Sequence, residues 1–338
     1  MEVAFQIVVS TIFFLLILFS CTLFTNAIEH LGRVLNIGEC AVGSVFAAIG
    51  TALPETIVPL VAIVGGFLTG NIEKGAEIGA GAALGSPFML STITFFMIFL
   101  ACIGFYLLKK RKNLGIQIET KFFSRDLKYF IFCYSLAVLA GVLDVPYFKY
   151  FCVFVLILTY IFYFKRTIEK AGCSECEQIS DLKFAKLLAF LKNEKIIIWM
   201  QILFSILLLI ISSHFLVLKI QYFSEIFNIN PFLLSLIVMP FATELPETVN
   251  SVLWIREDKD TLAISNISGA LVFQSCIPLS IAITLTQWKF DNLAILNILF
   301  VLLMSISLFL VSKVIKKIPL GLLAVGGIFY LIFILAIV

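Results

Sequence analysis

The six residues GTALPE at positions 50–55 return, with two substitutions, as ATELPE at positions 242–247. Both copies read small-Thr-x-Leu-Pro-Glu, and each lies inside a long apolar run. A matching feature follows in the next apolar run of each half, where AALGS at 82–86 answers NISGA at 266–270. A single Leu-Pro-Glu would be a weak signal. The same motif at the same ordinal position of both halves indicates an internal repeat.

Around these motifs the chain is too apolar for a water-soluble domain. Of its 338 residues, 61% are hydrophobic and only 13% are charged, whereas soluble domains carry about 25% charged residues. Mean hydropathy is +1.10. Since about 20 apolar residues cross the hydrocarbon of a bilayer, the apolar runs predict ten transmembrane spans. They cover residues 4–26, 40–67, 77–108, 129–143, 147–164, 196–218, 231–254, 261–285, 293–311 and 318–338.

The basic residues predict how the spans are oriented. Alternation of ten spans puts 20 of the 24 lysines and arginines on one side of the membrane. The positive-inside rule makes that side cytoplasmic and places both termini outside. No basic residue precedes the first span, so we interpret it as a retained helix and not as a cleaved signal peptide. The predicted location is the cell membrane.

A polar loop at 165–195 divides the chain into a first repeat at 1–164 and a second at 196–338. Each repeat holds five spans, an odd number, so the two repeats are expected to be inverted relative to each other. Within the loop, 182–192 reads as a basic amphipathic stretch suited to a membrane surface. Cys173 and Cys176 form a single C-x-x-C pair there, which leaves a metal or redox role open, although one pair is half of a usual zinc site.

The prolines and glutamates of the two motifs predict a cation site. Proline removes a backbone donor and disrupts a helix, and freed carbonyls at membrane depth are tolerated only beside a cavity. Broken helices in inverted repeats mark the binding sites of transporters. The three acids in these spans are Glu55, Glu244 and Glu247, and no lysine or arginine shares their spans. A cation or protons must therefore neutralise them.

Oxygen ligands of this kind suit Ca²⁺, Na⁺ or Mg²⁺. Thr51 and Thr243 lie four residues before the motif glutamates, and the break at the proline is expected to place the threonine carbonyl and the glutamate carboxylate of each motif around one point. Ser86 and Gln274, in the following spans, are further candidates. For these two the alternative remains that they only let helices pack closely.

At these residues the chain resembles the cation/Ca²⁺ exchanger superfamily, in particular its prokaryotic Na⁺/Ca²⁺ exchanger-like branch. The resemblance implies ten helices in two inverted repeats, with Glu55 and Glu247 as central cation ligands. It also implies ligand roles for Thr51, Thr243 and Ser86. The chain departs from the family pattern where Ala52 and Glu244 replace motif serines, and where Pro87, Leu90, Ala270 and Leu271 replace polar residues.

We therefore expect an all-α membrane protein with broken helices at the bilayer midplane, acting as an antiporter that exchanges Ca²⁺ for Na⁺ or H⁺ by alternating access. Two alternatives stay open: an exchanger of other cations (Na⁺/H⁺, K⁺ or Mg²⁺), or a non-transporting membrane sensor or assembly protein. An enzyme is not expected, because catalytic motifs such as H-E-x-x-H are absent from the sequence. The expected partners are the transported cations and the lipid bilayer. No cofactor, nucleic acid or obligatory protein partner is expected, and a net charge of +3 is too small to indicate nucleic acid.

Overall fold

The computed structural model describes residues 2–34, 47–118, 120–170, 181–185 and 193–337, without the side chains at 32–33, 47–52 and 168–170. This part of the chain is helical and contains no β-strand. Its helices are α1 (Glu2–Val34), α2 (Ala47–Thr69), α3 (Ile72–Leu107), α4 (Thr120–Leu143), α5 (Pro146–Lys170), α6 (Glu194–Phe227), α7 (Pro231–Arg256), α8 (Asp260–Leu285), α9 (Asn292–Ile315) and α10 (Leu320–Ile337).

Each predicted span overlaps one of these helices, which confirms the all-α membrane fold. Nine of the helices in the described ranges are long and apolar enough to cross a bilayer, and α2 contributes a shorter apolar segment, Leu53–Thr69. Local sequence signals set several helix boundaries. Asn230 caps α7 by accepting a hydrogen bond from the Phe232 amide at 2.8 Å, and Pro231 follows at the first helical position.

The helices form a central group flanked by two outer groups. Helices α2, α3, α7 and α8 pack together in the middle, with α3 against α7 and α2 against α8. These two pairings are equivalent under the repeat, because α2 and α3 of the first half correspond to α7 and α8 of the second. On one side α1 packs along α6, and α4, α5, α9 and α10 surround the other side.

The helices that carry the motifs are continuous, which differs from the predicted breaks. Helix α7 runs from Pro231 to Arg256 with Pro240 and Pro246 inside it, and α2 contains Pro54 and Pro59. Proline removes one backbone hydrogen bond and leaves the carbonyl four residues earlier without its helical donor. The interruption at each proline of α7 is therefore a missing hydrogen bond and not a gap in the helix. Helix α3 has a local irregularity, a π-helical turn at Leu90–Thr94 just after Pro87.

The fourth span is longer than its apolar run. The sequence predicts 129–143, but α4 begins at Thr120. Charged residues in its first turns hide the helix from a hydropathy scan. One of them, Asp126, is buried yet satisfied, because Arg125 donates to it at 2.9 Å and the Ser268 hydroxyl donates to it at 2.9 Å.

Some predictions concern residues that the structure does not describe. These include Cys173 and Cys176 and most of the amphipathic stretch at 182–192. Of that stretch, the segment up to 185 forms a turn. The amides of Lys183 and Phe184 donate to Asn26 of α1 and Gln201 of α6. The boundaries 1–164, 165–195 and 196–338 stay a prediction.

A buried ion pair joins the α3–α4 loop to the start of α8. Arg111 donates to both carboxylate oxygens of Asp260, at 2.5 and 2.6 Å, and to the carbonyls of Ile255, Asn113 and Gly115. All five guanidinium donors are thereby used. The pair ties the loop of the first repeat to the α7–α8 turn of the second.

Replacing Arg111 by methionine is expected to destabilise the fold by about 3–5 kcal/mol, because Asp260 keeps a buried charge without its partner. Denaturation of the purified protein in detergent measures the change. Lys112→Gln, an exposed position in the same loop, serves as the control and should unfold like the wild type. An Arg111→Met protein as stable as this control would show that the pair does not hold the loop.

Candidate cation site

Three carboxylates meet between α2 and α7. Carboxylate oxygens of Glu55, Glu244 and Glu247 all lie within 4.8 Å of one another. The three residues are 2%, 0% and 1% exposed. The spacing of the residues in α7 explains part of this geometry, since positions three apart share one face of a helix. Glu55 reaches the same point from the repeat-related position on α2.

The cluster holds more negative charge than the described residues neutralise. No basic side chain of the described ranges forms an ion pair with Glu55 or Glu244. Within the same ranges, neither oxygen of Glu55 accepts a hydrogen bond, and neither does Oε2 of Glu244. Three ionised carboxylates at this separation and burial would repel strongly. The arrangement can therefore hold a cation, or protons, or the two in turn.

Gln274 of α8 completes one side of the cluster. Its Nε2 donates to Oε1 of Glu244 at 2.8 Å, while its own Oε1 has no hydrogen-bond partner among the described residues. Ser86 of α3 lies beside the Glu244 carboxylate. Both side chains are buried. The structure thus brings these two candidates to the carboxylates, in addition to any packing role.

The close approach of α3 to α7 puts Ser86 at the cluster. Gly81 and Gly85 face α7. A Cβ atom on Gly81 would lie 2.2 Å from the backbone carbonyl oxygen of Phe232, and one on Gly85 would lie 2.1 Å from that of Leu236. The Leu236 carbonyl is the one that Pro240 deprives of its helical donor. Small residues four apart let two membrane helices touch at their backbones. The sequence therefore specifies the contact from both helices.

The predicted threonines differ in what the structure describes. Thr243 is buried, and its hydroxyl donates to the Pro240 carbonyl at 3.5 Å. Thr51 lies in α2, but its side chain is outside the described part. Asn266 of α8 contacts the next turn of α7. Its side-chain amide donates to the backbone carbonyl of Glu247 at 3.5 Å and to the Ser251 hydroxyl at 3.1 Å. These contacts attach α8 to α7 on the C-terminal side of the carboxylates.

Sequence reasoning missed Cys21 of α1. Cysteine in an apolar run is most simply a small buried side chain, and Cys21 is 3% exposed. However, its thiol lies near enough to Glu244, Glu247 and Glu55 to interact with their charges. No motif surrounds Cys21, and α1 carries no counterpart of the Leu-Pro-Glu signal. Only the packing of α1 beside α2 and α7 brings this residue to the site.

The two halves contribute unequally to the cluster. Under the repeat, Glu244 corresponds to Ala52 and Gln274 to Leu90. The second half therefore supplies a carboxylate and the amide that holds it, where the first half has two apolar residues. The cluster combines one pair of repeat-related acids with one acid that breaks the symmetry.

Three solved structures, two of which are named as cation exchangers, share this fold. The H⁺/Ca²⁺ exchanger CAX matches 98% of this chain and 88% of its own, with a TM-score of 0.65 and 15% identity. YfkE matches 97% of this chain and 91% of its own, with a TM-score of 0.70 and 13% identity. The sodium-calcium exchanger NCX_Mj matches 99% of both chains, with a TM-score of 0.59 and 18% identity. At these identities the likeness concerns the two-repeat helical fold.

Sequence comparison identifies the family itself. The Inner membrane protein YrbG of Escherichia coli (strain K12) is 25% identical over 293 residues, which cover 83% of this chain and 80% of YrbG. The family described as Sodium/calcium exchanger protein matches residues 5–166 and 197–338, nearly the whole chain. The chain belongs to the sodium/calcium exchanger protein family.

Proposed function

We propose that the protein is a secondary antiporter that exchanges Ca²⁺ for a monovalent cation, Na⁺ or H⁺. The observation that carries the proposal is the buried cluster of Glu55, Glu244 and Glu247, with oxygens within 4.8 Å of one another. The members of the family to which the chain belongs are transporters. Ca²⁺ takes six to eight oxygen ligands, and the carboxylates with the carbonyl oxygen of Gln274 offer a large part of that set.

Exchange follows from competition for the same carboxylates. Ca²⁺ brings two positive charges to the cluster, and the coupling cation must bring comparable charge when Ca²⁺ leaves, because the empty anionic cluster is unfavourable in an apolar interior. Alternating access of the site to the two sides then couples the two fluxes. The inverted repeats supply two equivalent sets of helices for the two access states. Both termini lie outside in this proposal, following the distribution of basic residues.

The chemistry of the site favours H⁺ over several Na⁺ ions as the coupling cation. One motif serine of the family pattern is replaced by Ala52, and polar residues of the following spans are replaced by Pro87, Leu90, Ala270 and Leu271. Na⁺ needs such neutral oxygens, whereas protons need only carboxylates, of which this site has an additional one in Glu244.

Radiolabelled Ca²⁺ uptake into proteoliposomes tests the proposal. Vesicles are loaded with Na⁺ in one arm and given a pH gradient in the other, and protein-free vesicles give the background. Uptake that requires one of the two gradients names the coupling cation. Absence of uptake in both arms, with folded protein, would rule out Ca²⁺ exchange. The same vesicles with K⁺ or Mg²⁺ would then test the alternative exchangers, and failure of every cation would favour a sensor or assembly role.

A double-mutant cycle tests whether Gln274 positions Glu244. Gln274→Leu, which introduces the residue of the first repeat, is expected to weaken Ca²⁺ binding by about tenfold, because Glu244 loses a buried hydrogen bond. Glu244→Ala should weaken it further and alter competition by Na⁺ and H⁺. In the Glu244→Ala background, Gln274→Leu should have a smaller effect than in the wild type, because the hydrogen bond to Glu244 is already lost and only the ligand role of the Gln274 carbonyl oxygen remains. Ca²⁺ titration of the purified proteins measures all four affinities. Additive losses would mean that Gln274 acts independently of Glu244.

A further inference from the structure

A second site lies away from the carboxylates, in a groove between α4 and α5. The groove encloses about 570 Å³. Four basic side chains line it, together with aromatic rings. Lys121, Arg125 and Lys128 come from α4 and Arg166 comes from α5. Phe132 of α4 and Phe162 of α5 form its apolar part.

The order of these residues gives the groove two chemically different ends. On α4 the spacing from Lys121 through Arg125 and Lys128 to Phe132 is four, three and four residues, which follows one helix face. Helices α4 and α5 are joined by a short turn and run antiparallel, so Arg166 lies level with the start of α4. At 1.5 Å per residue the groove extends about 16 Å from Lys121 to Phe132. One end holds Lys121 and Arg166, the other end holds Phe132, and Phe162 lies one turn from Arg166 toward that apolar end.

Most of the positive charge in the groove is not compensated by any residue that the structure describes. Arg125 is engaged, because it donates to Asp126 and lies over the rings of Phe122 and Tyr163, 5.5 and 5.4 Å from their centroids. The side chains of Lys121, Lys128 and Arg166 are exposed. Within the described ranges none of these three forms an ion pair. Three cations therefore point into one groove at the end of two membrane helices.

We propose that this groove binds an anionic phospholipid of the surrounding bilayer. The phosphate lies among Lys121, Lys128 and Arg166, and an acyl chain runs along Phe132 and Phe162. Charge complementarity requires an anion, and basic pockets between transmembrane helices suit acidic headgroups. The exposed aromatic part argues for lipid over a soluble phosphate, since Phe132 is 53% and Phe162 is 66% exposed. The site is separate from the carboxylate cluster and does not depend on the exchange function.

The test measures lipid binding to the full chain in a non-ionic detergent by native mass spectrometry. The probes are dioleoyl-phosphatidylglycerol and dioleoyl-phosphatidylcholine, which share acyl chains and differ in headgroup charge. The groove variant is Lys121→Gln/Lys128→Gln/Arg166→Gln. The matched control, Lys109→Gln/Lys110→Gln/Lys112→Gln, removes the same charge from exposed residues of the α3–α4 loop. Circular dichroism and melting temperature establish that both variants are folded.

Wild type and control are expected to bind phosphatidylglycerol more than about tenfold more tightly than phosphatidylcholine, and the groove variant should lose that preference. Phe132→Ala/Phe162→Ala should weaken both lipids while keeping the preference for the anionic one. Equal binding of the two lipids by wild type would overturn the proposal, as would an unchanged preference in the folded groove variant. Displacement of phosphatidylglycerol by millimolar inorganic phosphate would show a soluble anion to be the ligand, which also contradicts a lipid site.

Discussion

Glu247→Gln and Glu55→Gln are each expected to lower cation exchange at least about 100-fold, to the background of protein-free vesicles. Glutamine keeps the size of glutamate and one ligand oxygen but removes a full negative charge. It also introduces an amide N–H₂ group, which repels a cation. In a cluster whose three residues are at most 2% exposed, water cannot compensate for that loss. The effect should therefore be far larger than for an exposed acid.

A binding measurement separates this effect from a folding defect. Ca²⁺ should raise the melting temperature of the wild type, because a ligand that binds only the folded state stabilises it, by about 2.7 kcal/mol at 100 times its Kd. Both variants should lose this response to Ca²⁺. Without Ca²⁺ they should be at least as stable as the wild type, since a neutral amide relieves repulsion among the carboxylates.

Glu257→Gln, directly after the end of α7, is the matched control. Glu257 is exposed and forms an ion pair with Lys259 at 2.9 Å. A surface pair of this kind contributes about 0–1 kcal/mol, so uptake and the response to Ca²⁺ should both persist. If Glu55→Gln and Glu247→Gln transported Ca²⁺ as well as this control, the carboxylate cluster would not be the transport site.

The sequence alone predicts the pairing of these two glutamates because the repeat carries positional information. Pro54-Glu55 and Pro246-Glu247 occupy equivalent places in two apolar spans, and inverted repeats bring equivalent places together. The ten spans follow from apolar length for the same general reason, since a bilayer fixes how many residues a helix needs. Both signals are periodic or repeated, so one sequence is sufficient to find them.

Other parts of the site depend on packing that one sequence does not encode in a readable way. Cys21 lies beside the carboxylates only because α1 packs against the helices that carry them. Predicting the hydrogen bond between Gln274 and Glu244 requires knowing how far α8 is shifted along α7. The repeat does not indicate this pairing, because the equivalent residues in the first half are the apolar Leu90 and Ala52. The continuity of α7 through Pro246 was likewise not readable from the sequence, because a proline inside a membrane helix can either end the helix or be accommodated within it.

The asymmetry between the halves connects these observations to ion choice. In a symmetric site, each repeat would contribute one acid and the same neutral oxygens. Here Glu244 and Gln274 add charge and a hydrogen bond on one side only. An additional carboxylate increases the charge that a departing Ca²⁺ leaves behind, which favours a coupling cation able to bind carboxylates directly. The uptake experiment with a pH gradient addresses this consequence.

The contact between α3 and α7 leads to the second large effect. A Cβ atom at Gly85 would lie 2.1 Å from the Leu236 carbonyl oxygen and 2.6 Å from Cγ of Pro240. Neither atom belongs to a flexible side chain, so the two helices would have to separate. Gly269 occupies the equivalent position in the second repeat. There, among the residues that the structure describes, an added Cβ meets only the Tyr163 hydroxyl, at 3.8 Å, which is ordinary contact.

Gly85→Ala is therefore expected to abolish Ca²⁺ uptake and to destabilise the protein by about 1–3 kcal/mol through overpacking. Separation of α3 from α7 would move Ser86 away from Glu244 and open the carboxylate cluster. Gly269→Ala should keep uptake and be neutral or slightly stabilising, because alanine favours a helix by about 1 kcal/mol over glycine. Uptake assays and melting temperatures of the two variants measure the contrast. Equal behaviour of the two variants would contradict the close α3–α7 contact, since their intrinsic helix propensities are identical and only the neighbouring helix differs.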